Sequence, residues 1–260
     1  MTRYPIDALR ALLGQSALFR EAAPDLLDEL MKFATVRHFQ AYAEIFAKAD
    51  PGDGLYGVLM GRVRIYTASA EGEEAILNVL QPGEIFGEIA LLDGGPRTAS
   101  ARAMTTTDLL QINRAHFVPF LNDHPELGTS ILSVLCGRIR MNVEFIEGAV
   151  FLHLPARLAK RLLSLSEVHG RPDPRGVRID LKVSQQDLAN MIGATREPVN
   201  KALSLWRELG LIAIEDGFII VCQPHGLKAL LEKRVRLESR PISLSAIRWQ
   251  RQPKIDNRGG

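Results

Sequence analysis

VSQQDLANMIGATREPVNKALSLWRELGLI, residues 183–212, is the stretch from which the rest of the chain is most readily understood. Ser184 followed three residues later by Asp187 is a capping-box pattern, with Asp where Glu is more usual, and it predicts a helix start. Leu188, Ala189 and Ile192 give that helix an apolar face. Gly193 ends it in a turn, and Thr195 can cap a second helix. Pro198 is tolerated because it falls in the first turn of that helix. Val199, Ala202, Leu203 and Trp206 form its buried side and leave Arg196, Glu197, Asn200 and Lys201 exposed. Helix, glycine turn, helix is the layout whose second helix enters the major groove of double-stranded DNA. The exposed residues suit that task, since Arg pairs with guanine O6 and N7, Glu accepts from cytosine N4, and Lys reaches guanine or a phosphate. Next, IAIEDGFIIV (212–221) reads as a hairpin around Asp216-Gly217, the wing of a winged helix. The candidate DNA contacts are Ser184, Thr195, Arg196, Glu197, Asn200 and Lys201.

Upstream of this unit, ARLAKRLLSLSE (156–167) is an amphipathic helix, and HGRPDPRG (169–176) reads as a loop rich in Pro, Gly and Arg. Before them, residues 125–151 carry an uninterrupted helical pattern, opened by Pro125 at its first turn. Leu132, Leu135, Ile139, Asn142, Ile146 and Ala149 recur along it at three, four, three, four and three, a coiled-coil seam with one polar member. Packing on its own domain is one account of the stripe. The length of the helix and the narrowness of the stripe favour pairing with a second copy in a homodimer. Asn142 either fixes the register of that pair or serves a ligand.

The first half reads differently. Residues 5–32 have helical periodicity in Leu9, Leu12, Leu13, Leu26, Leu27, Leu30 and Met31. From Ala34 to about Asn113 come short strand-like runs, among them LYGVLMGRVRIYTA, AILNVLQPGEIFG and ASARAMTTTDLLQI, with turn signals at PGDG (51–54) and EGEE (71–74). Strands at that spacing argue for an antiparallel roll, and strands and helices do not alternate as a doubly wound sheet would require. The fold class is therefore α+β. Within the roll, FGEIALLDGGPRTASA (86–101) sets Glu88 and Arg97 on either side of a glycine-rich stretch.

Composition limits the function. The chain has 260 residues, 46% of them apolar and 24% charged, as in soluble globular proteins. No apolar run reaches the roughly 18 residues of a membrane span. The N-terminus lacks a cleavable leader pattern, so the expected location is the cytoplasm, with no membrane partner. Cys136 and Cys222 alone support no disulfide framework or four-cysteine site. The six His form no H-x-H pair, and no nucleophile elbow or phosphate loop is present, so neither catalysis nor a metal centre is expected. Net charge is only +2, yet residues 232–260 hold eight Lys or Arg against three Asp or Glu, a basic tail expected to be partly disordered.

The order of β-roll, long helix and winged helix-turn-helix resembles the cyclic AMP receptor protein and FNR (CRP/FNR) superfamily of bacterial transcription regulators. TREPVNKAL is similar to that family's Arg-Glu-x-x-x-Arg recognition segment, with Lys201 in place of the last Arg, a departure that puts one bidentate base contact in doubt. FGEIALL followed by PRTA is similar to the phosphate-binding cassette of cyclic-nucleotide domains. The resemblance implies that Arg97 pairs with a cyclic phosphate, Glu88 accepts from the ribose 2′-hydroxyl, and Thr98 donates to the phosphate. It implies too that Gly87 lets the chain approach the ligand, while the backbone of Gly87, Glu88, Ile89, Ala90, Thr98 and Ala99 completes an anion cradle. By the same resemblance Asn142 and Val143 fall where relatives touch the purine. The implied effector is a cyclic nucleotide, cyclic AMP ahead of cyclic GMP, and the implied partners are palindromic DNA, a second copy and RNA polymerase. Implied domains are 1–124 (sensor roll), 125–152 (dimerisation helix), 153–228 (DNA-binding) and 229–260 (tail). The competing expectation is a regulator of the same family that binds DNA without a nucleotide or senses another ligand.

Overall fold

The computed structural model of the chain describes residues 4–232, so the basic tail from residue 233 onward lies outside the described residues. Two short helices open it, α1 (Ile6–Leu13) and α2 (Pro24–Met31), the second with its proline at the first turn. Six strands follow: β1 (Ala34–Phe39), β2 (Glu44–Phe46), β3 (Gly54–Met60), β4 (Val63–Ala68), β5 (Glu74–Leu80) and β6 (Ile85–Phe86). A one-and-a-half-turn helix α3 (Glu88–Asp93) separates them from β7 (Ser100–Ala103) and β8 (Thr107–Asn113). All pairings are antiparallel, in two four-stranded sheets ordered β1-β8-β3-β6 and β2-β7-β4-β5.

Between the two sheets lie Tyr56, Val58, Val63, Leu80, Phe86, Ala101 and Leu109. The opposite side of the first sheet, through Leu55, Leu59, Leu110 and Ile112, carries α1, α2 and the helix α4 (Arg114–Asp123), which anchors by Phe117 and Phe120. The turn signals of the sequence hold: residues 71–74 join β4 to β5, and 51–54 lead into β3. Helix α4 has no counterpart in the sequence reading, because Pro119 inside it argues against a helix.

The long helix α5 runs Leu127–Phe151. Pro125 lies in the turn before it and not in its first turn, since the N–H groups of Leu127 and Gly128 already bond to His124 and Pro125. Its N-terminal end, at Leu127 and Ile131, enters the core of the roll, and Leu135 of the stripe packs half-buried beside them. The other stripe residues Leu132, Ile139 and Ile146 are 63%, 61% and 58% exposed, and Asn142 and Ala149 are exposed with them.

Helix α6 (Leu154–His169) leads to β9 (Gly170–Asp173) and β10 (Gly176–Ile179). This hairpin corrects the expected loop at 169–176. Pro172 is accommodated because β9 is an edge strand that needs no N–H at every position, and β10 extends the wing sheet β11-β12-β10-β9. The wing is β11 (Ile212–Glu215) and β12 (Phe218–Val221), joined by Asp216 and Gly217 at φ 49° and 82°. Helices α7 (Gln185–Ile192) and α8 (Arg196–Glu208) form the helix-turn-helix, and α9 (Pro224–Glu232) packs back on α6.

The capping box of α7 is present in full, and Gly193 closes it at φ 60°. Thr195 stands at the N-cap of α8 but makes no side-chain capping bond, so its backbone and not its hydroxyl starts that helix. Trp206, Leu203 and Val199 are buried, as the helical spacing requires. Truncating Trp206 to Ala would cost about 3–5 kcal/mol. This core is shared with the roll: Tyr66 of β4 and Ile76 and Val79 of β5 belong to the same apolar cluster as α6, α7 and α8.

Candidate functional site

One cleft of the roll gathers the cassette. It holds about 720 Å³ of empty space, open mouth included. All eight residues singled out for a ligand, Gly87, Glu88, Ile89, Ala90, Arg97, Thr98, Ala99 and Asn142, line it. Val143, one residue from Asn142, points elsewhere and is exposed. The turn from β6 into α3 supplies the first four. It needs Gly87: φ is 83°, and a Cβ there would sit 2.6 Å from the Arg97 guanidinium and 3.0 Å from the Gly54 carbonyl.

Arg97 is only 3% exposed. Its Nη1 donates to the Gly87 carbonyl at 2.9 Å, and its Nη2 donates to the Gly54 carbonyl at 2.8 Å and to Asp53 Oδ1 at 3.0 Å. Its Nε is buried without a partner. The guanidinium stacks on Phe46, 4.3 Å from the ring centre, with Tyr56 at 5.6 Å. Burial, reinforced by the charge of Asp53, pushes the Tyr56 phenol up from its ordinary value. An unpaired, desolvated donor on a cation is what an anion would satisfy.

Glu88, 7% exposed, accepts from Nε of Arg138 at 3.1 Å, and Arg138 Nη2 donates to the Ile85 carbonyl at 2.8 Å. Arg138 thus ties the cassette to α5. Sequence reading missed it, although a signal existed: it lies four residues before Asn142, on the same helix face. Asp53, Phe46 and Tyr56 were missed because only tertiary structure carries the loop before β3 and strand β2 to Arg97.

The second site is α8. Arg196, Glu197, Asn200 and Lys201 are exposed together on its N-terminal half. Lys201 Nζ meets Glu197 Oε1 at 2.7 Å, an exposed i, i+4 pair worth about 0.3–0.5 kcal/mol and cheaply exchanged for a base or phosphate. The Ser184 hydroxyl is engaged in its capping box, accepting the Asp187 N–H at 3.0 Å and donating to Asp187 Oδ2 at 2.6 Å. At the wing, Arg178 and Lys182 flank the Phe218 ring at 4.9 and 5.0 Å, cations that sequence reasoning did not single out.

Fold and site together define a regulator that joins a ligand-binding β-roll to a DNA-binding winged helix. Residues 36–124 match the cyclic nucleotide-binding domain, and residues 156–230 match the Crp-like helix-turn-helix domain. The chain is 30% identical over 216 residues to a CRP-like cAMP-activated global transcriptional regulator of Mycobacterium tuberculosis, covering 83% of this chain and 96% of the relative. It is 32% identical to a global nitrogen regulator of Synechocystis sp., covering 82% and 93%. Its fold superposes on a CRP/FNR-family transcriptional regulator from Thermus thermophilus with a TM-score of 0.63, at 30% identity, over 77% of this chain and 100% of that one. The chain belongs to the CRP/FNR family of transcription regulators, which are DNA-binding proteins and not enzymes.

Proposed function

We propose that this chain is a homodimeric, cyclic-AMP-responsive regulator of transcription that acts in the cytoplasm on palindromic promoter DNA and contacts RNA polymerase there. Residues 1–124 sense the nucleotide, 125–152 pair the chains, and 153–228 read DNA. The observation that carries the reading is the buried Arg97 whose Nε has no partner in a cleft also lined by Glu88 and Asn142. Nε and Nη2 form one edge of the guanidinium, and a cyclic phosphate that replaces exposed Asp53 on Nη2 gains both donors of that edge. Glu88 accepts from the ribose hydroxyl, Thr98 donates to the phosphate, and Asn142 offers a donor and an acceptor to the base.

Cyclic AMP is favoured over cyclic GMP because the mycobacterial relative is named as cAMP-activated. A ligand on Glu88 alters the pair with Arg138 and so acts on α5. The two chains then set their α8 helices about one DNA turn, roughly 34 Å, apart. The nucleotide shifts this equilibrium only by its differential affinity for the two arrangements. The Synechocystis relative, named for nitrogen regulation, supports a second reading in which the same architecture answers to another ligand. Anisotropy titration of a labelled palindromic duplex, obtained by in vitro selection, separates them. Cyclic AMP tightens binding at least tenfold under the first reading, and equal affinity with and without either cyclic nucleotide supports the second.

A further inference from the structure

A second cavity, next to the cassette cleft and sharing Leu77 and Met141 with it, sits where sensor, long helix and DNA-binding unit meet. It holds about 780 Å³ of empty space, mouth included, against about 720 Å³ for the first cleft. Its walls come from β5 (Ile76, Leu77), the C-terminal half of α5 (Phe145, Ala149), the start of α6 and the end of α7 (Met191, Ile192). The start of α6 contributes three cations, Arg157, Lys160 and Arg161.

Their partners do not neutralise them. Arg157 Nη1 donates to the Ile192 carbonyl at 2.9 Å, but its Nε is buried and unpaired. Arg161 Nε is also buried and unpaired, and among the described residues Arg161 has no hydrogen bond or ion pair. Among the described residues the one acid on the walls is Glu144, whose Oε2 stands a long 3.8 Å from Lys160 Nζ on the exposed side. Burial lowers the Arg161 pKa from its ordinary value. Buried donors on cations are ordinarily paired, so two arginines on the wall of one cavity, each with a buried and unpaired Nε, mark a place for an anion. Guanidinium donors match phosphate oxygens, and the apolar side chains opposite suit a ring or an aliphatic body.

We propose that this hinge cavity binds a small phosphate-bearing organic anion, held by Arg157 and Arg161, as a second input to the regulator. The site contacts the sensor, α5 and the helix-turn-helix at once, so its ligand biases their relative arrangement and with it the affinity for DNA. The proposal does not depend on which nucleotide fills the first cleft.

The test uses the full chain, nucleotide-stripped and carrying Arg97→Leu so that the first cleft is disabled, titrated calorimetrically with pyrophosphate and with 5′-AMP. Binding of 5′-AMP is expected in this background and is weakened at least tenfold when Arg161→Gln is added. Binding of pyrophosphate as well assigns the affinity to the phosphate group, and binding of 5′-AMP alone assigns part of it to the apolar walls. A melting curve guards the variant: because Arg161 has no partner, Arg161→Gln should melt no lower than wild type. No heat with either probe, equal affinity in Arg161→Gln, or a marked drop in its melting temperature would each overturn the proposal.

Discussion

Arg97 shows how one side chain serves both the fold and a ligand. Two backbone carbonyls and Asp53 hold its terminal nitrogens, while Nε stays buried without a partner. Asp53 is the replaceable member, since its side chain is largely exposed and it competes with an incoming phosphate for Nη2. Asp53→Asn should therefore tighten cyclic-nucleotide binding, by up to about fivefold given the modest worth of exposed pairs. Calorimetry checks this, and weaker binding would mean that Asp53 helps hold the ligand. The residues legible in the sequence at this scale were those whose signal is local. Gly87, Glu88, Arg97 and Thr98 stand within one short motif, and Ser184 with Asp187 cap the helix that they begin. Arg138 reaches Glu88 and Asp53 reaches Arg97 only through tertiary structure, across 50 and 44 residues of sequence.

Among the elements, α5 and α8 carry the functional load. A single chain leaves Leu132, Ile139 and Ile146 on the stripe of α5 exposed, and the proposed pairing covers them. Ile146→Lys should weaken pairing by more than about 2 kcal/mol, because two copies would bury an ammonium in the seam. Sedimentation equilibrium measures the shift, and an unchanged association constant would remove α5 as the dimer helix. On α8, Arg196→Ala should cost about 1–3 kcal/mol at the selected duplex and relax preference at one base position. A uniform loss across all sequences would make Arg196 a phosphate contact instead. Periodicity made both helices readable in advance. It did not reveal α4, or the hairpin β9–β10, in which β9 pairs with β10 and β10 pairs with β12, the latter a contact between distant segments that local composition does not carry.

At the scale of the molecule, sensor and reader share one apolar core through Tyr66, Ile76 and Val79, and polar contacts seal the same boundary. Arg62 Nη2 donates to the Asp180 carbonyl at 2.6 Å, and His169 Nδ1 lies 3.3 Å from Arg62 Nη1 and 3.1 Å from Gln81 Oε1. Desolvation first, then the charges of Arg62 and Arg161, opposed by Asp180, lower the His169 pKa to about 4. A histidine held neutral in this way contributes stability that is present above its ordinary value near 6.5 and is lost as pH falls toward 4. Wild type should lose at most about 3 kcal/mol more than His169→Gln across that window. Chemical denaturation at several pH values measures it, and parallel curves would place His169 outside the linkage. The central claim is that the cassette binds a cyclic nucleotide through Arg97. Calorimetric titration of nucleotide-stripped protein with cyclic AMP, beside Arg97→Leu shown by its melting curve to be folded, tests it most directly. Saturable binding at one site per chain, weakened at least about tenfold in the variant, is the expected result. No heat from the wild type with cyclic AMP or cyclic GMP, or equal affinity in the variant, would contradict it.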